Sequence, residues 1–172
     1  MTCTDYTVRP ESISDAAKIE SLTETVFGPG MRARAAYFLR EGVDHTMALS
    51  FVVESRDAVV GTVRLTPVVW GKTVVLMLGP LAVLQSLKGK GIGKLLMQTA
   101  VDATNVRAKG EGEPLIILVG DLDYYAPFGF QQISPTKITL PRPADPSRVL
   151  ACELVPGALV SMQGAGSRYS GI

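Results

Sequence analysis

Apolar residues fall along this chain in two rhythms, one of period two and one near 3.6, and their alternation divides it into elements. Tyr6–Pro10 reads as a short strand closed by proline. Ile13, Ala16, Ala17, Ile19, Leu22 and Val26 recur at helical spacing, which predicts a helix capped by Ser12 or Ser14 and broken by Phe27-Gly28-Pro29-Gly30. A second helix runs from Met31 to about Arg40 and ends at Gly42. Three strands follow, Phe51–Glu54, Val60–Trp70 and Thr73–Val83, with turns at Ser55–Ala58 and Gly71-Lys72. In the second, Gly61, Val63 and Leu65 alternate with Thr62, Arg64 and Thr66. In the third, the run Val74–Leu78 predicts burial on both faces.

Gly79-Pro80 sits inside that third strand, where proline cannot donate to a ladder, so the strand is expected to bulge or splay there. A helical pattern resumes after Gly93, with Ile92, Leu95, Leu96, Thr99, Ala103 and Val106 as its apolar side and Lys109-Gly110 as its close. Leu115–Val119 is a buried strand, and strand, helix, strand implies a right-handed parallel crossover. Gly120 to Phe130 gathers four aromatics. Two β-like runs remain, Lys137–Leu140 and Arg148–Val155, split by the proline-rich Pro141–Pro146. The tail, about residues 164–172, is glycine-rich and expected to be loosely ordered.

At 172 residues, 47% hydrophobic and 19% charged, the chain reads as one domain, 1–172, with a substantial core. A net charge of +1 gives no reason to expect nucleic acid or an anionic membrane as partner. Cys3 and Cys152 do not make a disulfide framework and read as one terminal thiol and one strand residue. The polar start MTCTDYTVRPES lacks the apolar core of a signal peptide, and no run approaches the roughly 18 apolar residues of a membrane helix. A cytoplasmic protein is the expectation.

The densest local charge lies in Lys88-Gly89-Lys90-Gly91-Ile92-Gly93-Lys94, between an apolar strand and a helix. Glycines allow close backbone approach, and the first N–H groups of a helix are unpaired, so this stretch suits a phosphate. A Walker loop ending at Gly93-Lys94 would need glycine at 88 and Ser or Thr at 95, where Lys88 and Leu95 stand. The dinucleotide pattern from Gly89 would need glycine at 94, where Lys94 stands, and it opens βαβ units rather than following hairpins. Neither fits.

The stretch does resemble the [QR]-x-x-G-x-[GA] acyl-CoA pyrophosphate loop of the GNAT superfamily of N-acyltransferases, matching at Gly91 and Gly93 with Lys88 in place of Gln or Arg. Leu81-Ala82-Val83 resembles that family's splayed strand, and Tyr125-Ala126-Pro127-Phe128-Gly129-Phe130 its Y-x-x-x-G-F. Leu78–Val83 together with Gly120-Asp121, Tyr124-Tyr125 and Phe128–Phe130 resembles one bacterial branch of predicted N-acetyltransferases. The resemblance covers about residues 6–155. It implies an α/β (α+β) fold, a mixed sheet of about seven strands splayed at the fourth and flanked by about four helices.

It also implies a mechanism: direct transfer of acetyl from acetyl-CoA to a primary amine, without metal, in a ternary complex. Leu81, Ala82 and Val83 would hold the pantetheine arm, with the Val83 N–H taking the oxyanion. Lys88, Gly89, Lys90, Gly91, Ile92, Gly93 and Lys94 would hold the diphosphate, and Tyr125 would be the general acid on the departing thiolate. Tyr124 could take that role as well. Thr73–Val83 lacks the carboxylate that many members carry as base, which leaves Asp121, Asp123, Glu54, His45 or water. Phe27–Arg34 and Pro141–Pro146 are candidate lids over the acceptor. Arg32 and Arg34 would hold an acidic substrate there or form a solvated helix face. The acceptor amine is unassigned, and a homodimer stays open. The missing strand carboxylate and Lys88 leave as an alternative a non-catalytic acyl-CoA-binding or regulatory module; a variant keeps catalysis but takes a longer acyl-CoA or an acyl carrier protein as donor.

Overall fold

The computed structural model describes residues 6–134 and 137–171. A nine-stranded mixed sheet runs β1-β2-β3-β4-β5-β8-β6, from β1 (Thr7–Pro10), β2 (Phe51–Ser55), β3 (Ala58–Trp70), β4 (Thr73–Val83), β5 (Leu115–Val119), β6 (Gln131–Gln132) and β8 (Val149–Glu153). Two further strands, β7 (Ile138–Thr139) and β9 (Gly164–Arg168), join beside the far end of β3. Its helices are α1 (Ala16–Phe27), α2 (Ala35–Arg40), α3 (Ile92–Ala108) and the single turns α4 (Leu122–Tyr125) and α5 (Ala158–Ser161). None of the helices described is long and apolar enough to cross a membrane.

The hairpin turns follow from local chemistry. Arg56 and Asp57 both take positive φ, 48° and 66°, as the two-residue turn joining β2 to β3 requires. The β4–α3–β5 crossover sets β4 and β5 parallel, as the strand-helix-strand pattern predicts.

Each face of the sheet carries its own core. Phe51, Val53, Leu76 and Leu78 pack with Ile92, Leu96 and Met97 of α3. On the other face Val52 and Ala82 meet Ile19 and Leu22 of α1, while Val75, Met77 and Trp70 meet Leu39 of α2. Covered on both faces, β3 buries even its polar positions, Thr62 and Thr66.

The bulge expected at Gly79-Pro80 is present. Val63 pairs with Leu81 and Leu65 with Leu78, so one residue of β3 faces two of β4. The extra residue inverts the strand's faces: Leu76 and Leu78 point to the α3 core before it, and Leu81 and Val83 after it.

The structure differs from the sequence expectations in two places. The buried face of α3 is Ile92, Leu96, Met97, Ala100, Val101, Thr104 and Ala108, whereas Leu95 and Val106 are exposed. Thr104 is buried because its hydroxyl donates to Ala100 O at 2.6 Å. The tail from Gly164 is not loose. It forms β9, antiparallel to Val68–Trp70, with the Trp70 indole N–H donating to Gly164 O at 2.9 Å. Cys152 is a buried free thiol on β8; Cys3 lies outside the described residues.

Candidate functional site

The site begins at an edge inside the sheet. β4 pairs with β5 only at Leu76–Ile116 and Met77–Ile117, and beyond these the two strands part. Leu84 N–H donates to Val60 O at 2.9 Å, in register with the pairs Thr62–Ala82 and Val63–Leu81. In an antiparallel ladder alternate residues bond to the same neighbour, so Ala82 faces β3 while Leu81 and Val83 turn their N–H and C=O groups toward the opening. These two residues offer free backbone groups to an extended ligand, as an acyl-CoA arm requires.

The edge leads to the glycine loop. Gly91 stands at φ 82°, a left-handed conformation that favours glycine, and caps α3, whose first intrahelical bond runs from Leu95 N to Gly91 O at 3.0 Å. The preceding N–H groups, Ile92, Gly93 and Lys94 among them, therefore have no intrahelical acceptor, and no side chain caps them. Lys88, Gly89, Lys90, Gly91 and Lys94 are exposed around this terminus, and Ile92 is buried beneath it. Donors, positive dipole and charge converge there on space suited to a diphosphate.

Two cavities open on the bulge. One, of about 510 Å³, is lined by Leu78–Leu81, Gly120, Asp121, Tyr124 and Tyr125, together with Met31, Arg34 and the segment around Pro143–Asp145. Both segments expected to cover the acceptor thus line one cavity with the bulge. Leu81 belongs to it and Val83 does not. The other cavity, of about 780 Å³, lies beneath α1 and α2 and is lined by Glu20, Arg40, His45 and Arg64 among others. The two share Met31, Arg40, Gly79 and Pro80.

Tyr125 lies edge-on to Tyr124 and Phe130, with ring centroids 4.9 and 5.9 Å away, and its ring covers Gly120, where a side chain would collide with it. Burial, and then the neighbouring Tyr124 and Asp121, push its hydroxyl up to a pKa of about 12. It is therefore protonated across the physiological range, as an acid must be. Tyr124 points elsewhere, toward Gly93.

The four candidate bases separate by position. Glu54 accepts from Arg9 at 2.6 Å on β2, and Asp123 is exposed; neither lines a cavity. Asp121 lines the Tyr125 cavity and pairs with Arg148 at 3.1 Å. His45 lines the larger one, its Nε2 3.0 Å from Glu11 Oε1 without an aligned hydrogen bond. Glu11, not singled out in the sequence, is buried and also accepts from Arg64, whose Nε lies at 2.9 Å. Burial works to raise its carboxyl pKa, but the His45 and Arg64 contacts outweigh this and lower it.

Among the arginines of the first helices, Arg32 lies 3.8 Å from Glu24 on the surface and Arg34 over the Phe27 ring. Arg40 turns inward. Its Nη1 would stand 3.4 Å from a Cβ on Gly79, and it reaches both cavities. Sequence reading has it only as the end of the second helix. Its position one residue after the buried Leu39, at the end of a short helix over the bulge, sets it apart.

Comparison with known proteins bears on this geometry. Residues 47–132 match the family model described as an acetyltransferase (GNAT) domain. Among solved structures, a GNAT family acetyltransferase from Brucella melitensis in complex with acetyl-CoA is 26% identical over 97% of each chain, with a TM-score of 0.68. The GNAT family N-acetyltransferase YhbS from Escherichia coli, in complex with CoA, has a TM-score of 0.79 at 24% identity, over 98% of this chain and 92% of that one. The ribosomal-protein-S18-alanine N-acetyltransferase from Escherichia coli shares the fold at 12% identity and a TM-score of 0.60, over 90% of this chain and 97% of that one. No curated protein sequence matches the chain.

Proposed function

The chain belongs to the GNAT acetyltransferase family, and from that footing we propose that it transfers an acetyl group from acetyl-CoA to a primary amine by direct attack. The observation that carries this reading is the unpaired edge of β4: the free groups of Leu81 and Val83 run from the N-terminus of α3 to the cavity holding Tyr125. Acetyl-CoA supplies a thioester carbonyl and a thiolate leaving group. The residues present fit it, with exposed loop lysines, unpaired helix N–H groups and a strand edge in sequence.

In this reading, the N–H groups across Gly89–Lys94 hold the diphosphate and Lys88, Lys90 and Lys94 add charge. Val83 aligns the pantetheine arm. Leu81 is preferred to Val83 as the oxyanion donor because it lines the cavity with Tyr125. Tyr125 holds the proton that the leaving thiolate needs. Asp121 is the carboxylate closest in role to a base, relaying the amine's proton through water, since it shares that cavity.

Acetyl-CoA added to the purified protein should raise its melting temperature, because a ligand of the native state stabilises it. Thiol release should then appear with a subset of a broad amine panel. Stabilisation without release from any amine would favour a non-catalytic acyl-CoA-binding module. Stronger stabilisation by longer CoA thioesters would move the donor away from acetyl.

A further inference from the structure

Arg40 is a half-buried cation at the meeting of two cavities that no carboxylate faces among the described residues. Its Nε donates to Ala36 O at 2.9 Å, one of five available donors, and no carboxylate among the described residues pairs with it. Elsewhere the fold matches its arginines: Arg9 lies against Asp15, Arg64 against Glu11, Arg107 against Glu113 and Arg148 against Asp121. Arg34 and Arg142 lie over phenylalanine rings. Arg56 sits in an exposed turn. Desolvation, and then the nearby Arg64 cation, bring the Arg40 pKa down to about 10, so the guanidinium stays charged at neutral pH in a place that disfavours charge. Its remaining donors face the cavities, where an anion of a bound molecule would pair with them.

The guanidinium reaches the bulge, with Nη1 against Gly79, where the two cavities meet. The diphosphate of the donor lies elsewhere in the reading above. From Gly79 to Val83 alone β4 covers about 13 Å, and the Gly89–Lys94 loop lies beyond. An anion at Arg40 therefore enters from the acceptor side. Resting on the acyl-transfer reading, we propose that Arg40 is the specificity determinant for the acceptor, pairing with a carboxylate or phosphate on the molecule whose amine is acylated. The substrate class is an amine that carries an anion, as in an amino acid or a phosphorylated amine. A planar guanidinium meets either group through two parallel hydrogen bonds, which fixes orientation as well as charge.

The test compares wild type with Arg40→Met, a change of similar volume that removes a desolvated charge and should keep the fold. Matched acceptors are glycine against glycinamide, and phosphoethanolamine against ethanolamine; the two pairs tell a carboxylate from a phosphate. Wild type should favour the anionic member of at least one pair by 10-fold or more in kcat/KM. Arg40→Met should erase that preference through KM. Independently of turnover, inorganic phosphate or acetate should raise the melting temperature of wild type more than that of Arg40→Met, whose remaining shift is the share of the loop at the N-terminus of α3. Equal use of charged and neutral acceptors by wild type would overturn the proposal, as would an equal rise in melting temperature of the two proteins with the anions. An equal fall in kcat on every acceptor would also overturn it, because Arg40 would then serve the reacting carbonyl. If no panel amine turns over, the anion titration decides alone. Absence of stabilisation of either protein by acetyl-CoA would sink the acyl-transfer reading and leave the anion pairing to be judged by that titration.

Discussion

A Cβ built on Gly93 would stand 2.5 Å from the Tyr124 hydroxyl oxygen, so the first turn of α3 and the turn α4 meet across the cleft. Tyr124 and Tyr125, adjacent in sequence, consequently do different work. Both line the cavity at the bulge, but the Tyr124 hydroxyl lies against Gly93 at the start of α3, whereas the Tyr125 ring packs on Gly120. Gly93→Ala should cost little stability, within about 1 kcal/mol, since alanine favours the helix and a tyrosine tip can swing aside. Acetyl-CoA affinity should fall several-fold as the displaced ring enters the cleft. Calorimetric titration of Gly93→Ala with and without Tyr124→Phe checks this, and strictly additive effects would show that the two residues are not coupled.

Tyr125→Phe should leave acetyl-CoA binding within about twofold and lower kcat by roughly 10²-fold or more, the scale of a general acid. Because the hydroxyl pKa is raised to about 12, its neutral form is favoured in the fold. A pH–rate profile should therefore rise as the amine deprotonates and show no decline from Tyr125 below about pH 11. An alkaline limb with its midpoint near pH 9 that vanishes in Tyr125→Phe would contradict this.

At Gly91 a methyl group meets nothing within 4 Å, yet φ is 82°. The stability cost of Gly91→Ala is thus conformational, about 1 kcal/mol, rather than steric. Its larger effect should be on the donor: thermal stabilisation by acetyl-CoA should shrink or vanish because the backbone can no longer approach closely. Retention of the full shift would remove Gly91 from the binding loop.

Asp15 is buried and accepts from Arg9 at 2.7 and 2.8 Å and from Ser12 N–H at 2.8 Å. Arg9 holds its carboxyl well below the usual range against the opposing effect of burial, and Ser12 adds to this. A depressed folded-state pKa contributes stability above the unfolded value near 4, and that contribution is lost as pH falls toward the folded one. Asp15→Asn should lower stability by about 2 kcal/mol at pH 7 and flatten the dependence below pH 4. Denaturant titrations at pH 7 and pH 3 measure both effects; an equal loss at the two values would contradict the linkage.

Elements governed by short-range chemistry were legible in the sequence. Pro80 announced the bulge, Val74–Leu78 a strand covered on both faces, and β4–α3–β5 a parallel crossover. What escaped depended on partners far along the chain. The α3 face was misjudged because apolar residues lie on more than one side of the helix, and the sheet covers the side of Met97, Ala100, Val101 and Ala108 rather than that of Leu95 and Val106. Gly164–Arg168 looked like a weak tail because glycines pack little by themselves; β3 supplies the ladder and Trp70 the cover. In the proposed site, the loop, Tyr125 and the two lid segments were singled out from motifs and element order. Glu11 and Arg40 were missed, since one is held by Arg64, 53 residues away, and the other stands out by facing no carboxylate among the described residues.

The strand β9 reaches further than the sheet it joins. From its last residue Arg168 donates to Phe38 O at 2.8 Å and to Glu41 at 2.9 Å, gripping α2 on either side of Arg40. A tag, a cut or a fusion placed just beyond this strand would therefore pull on the helix that aims the guanidinium. Choosing where to attach an affinity handle is, for this protein, already a decision about the pocket proposed for its acceptor.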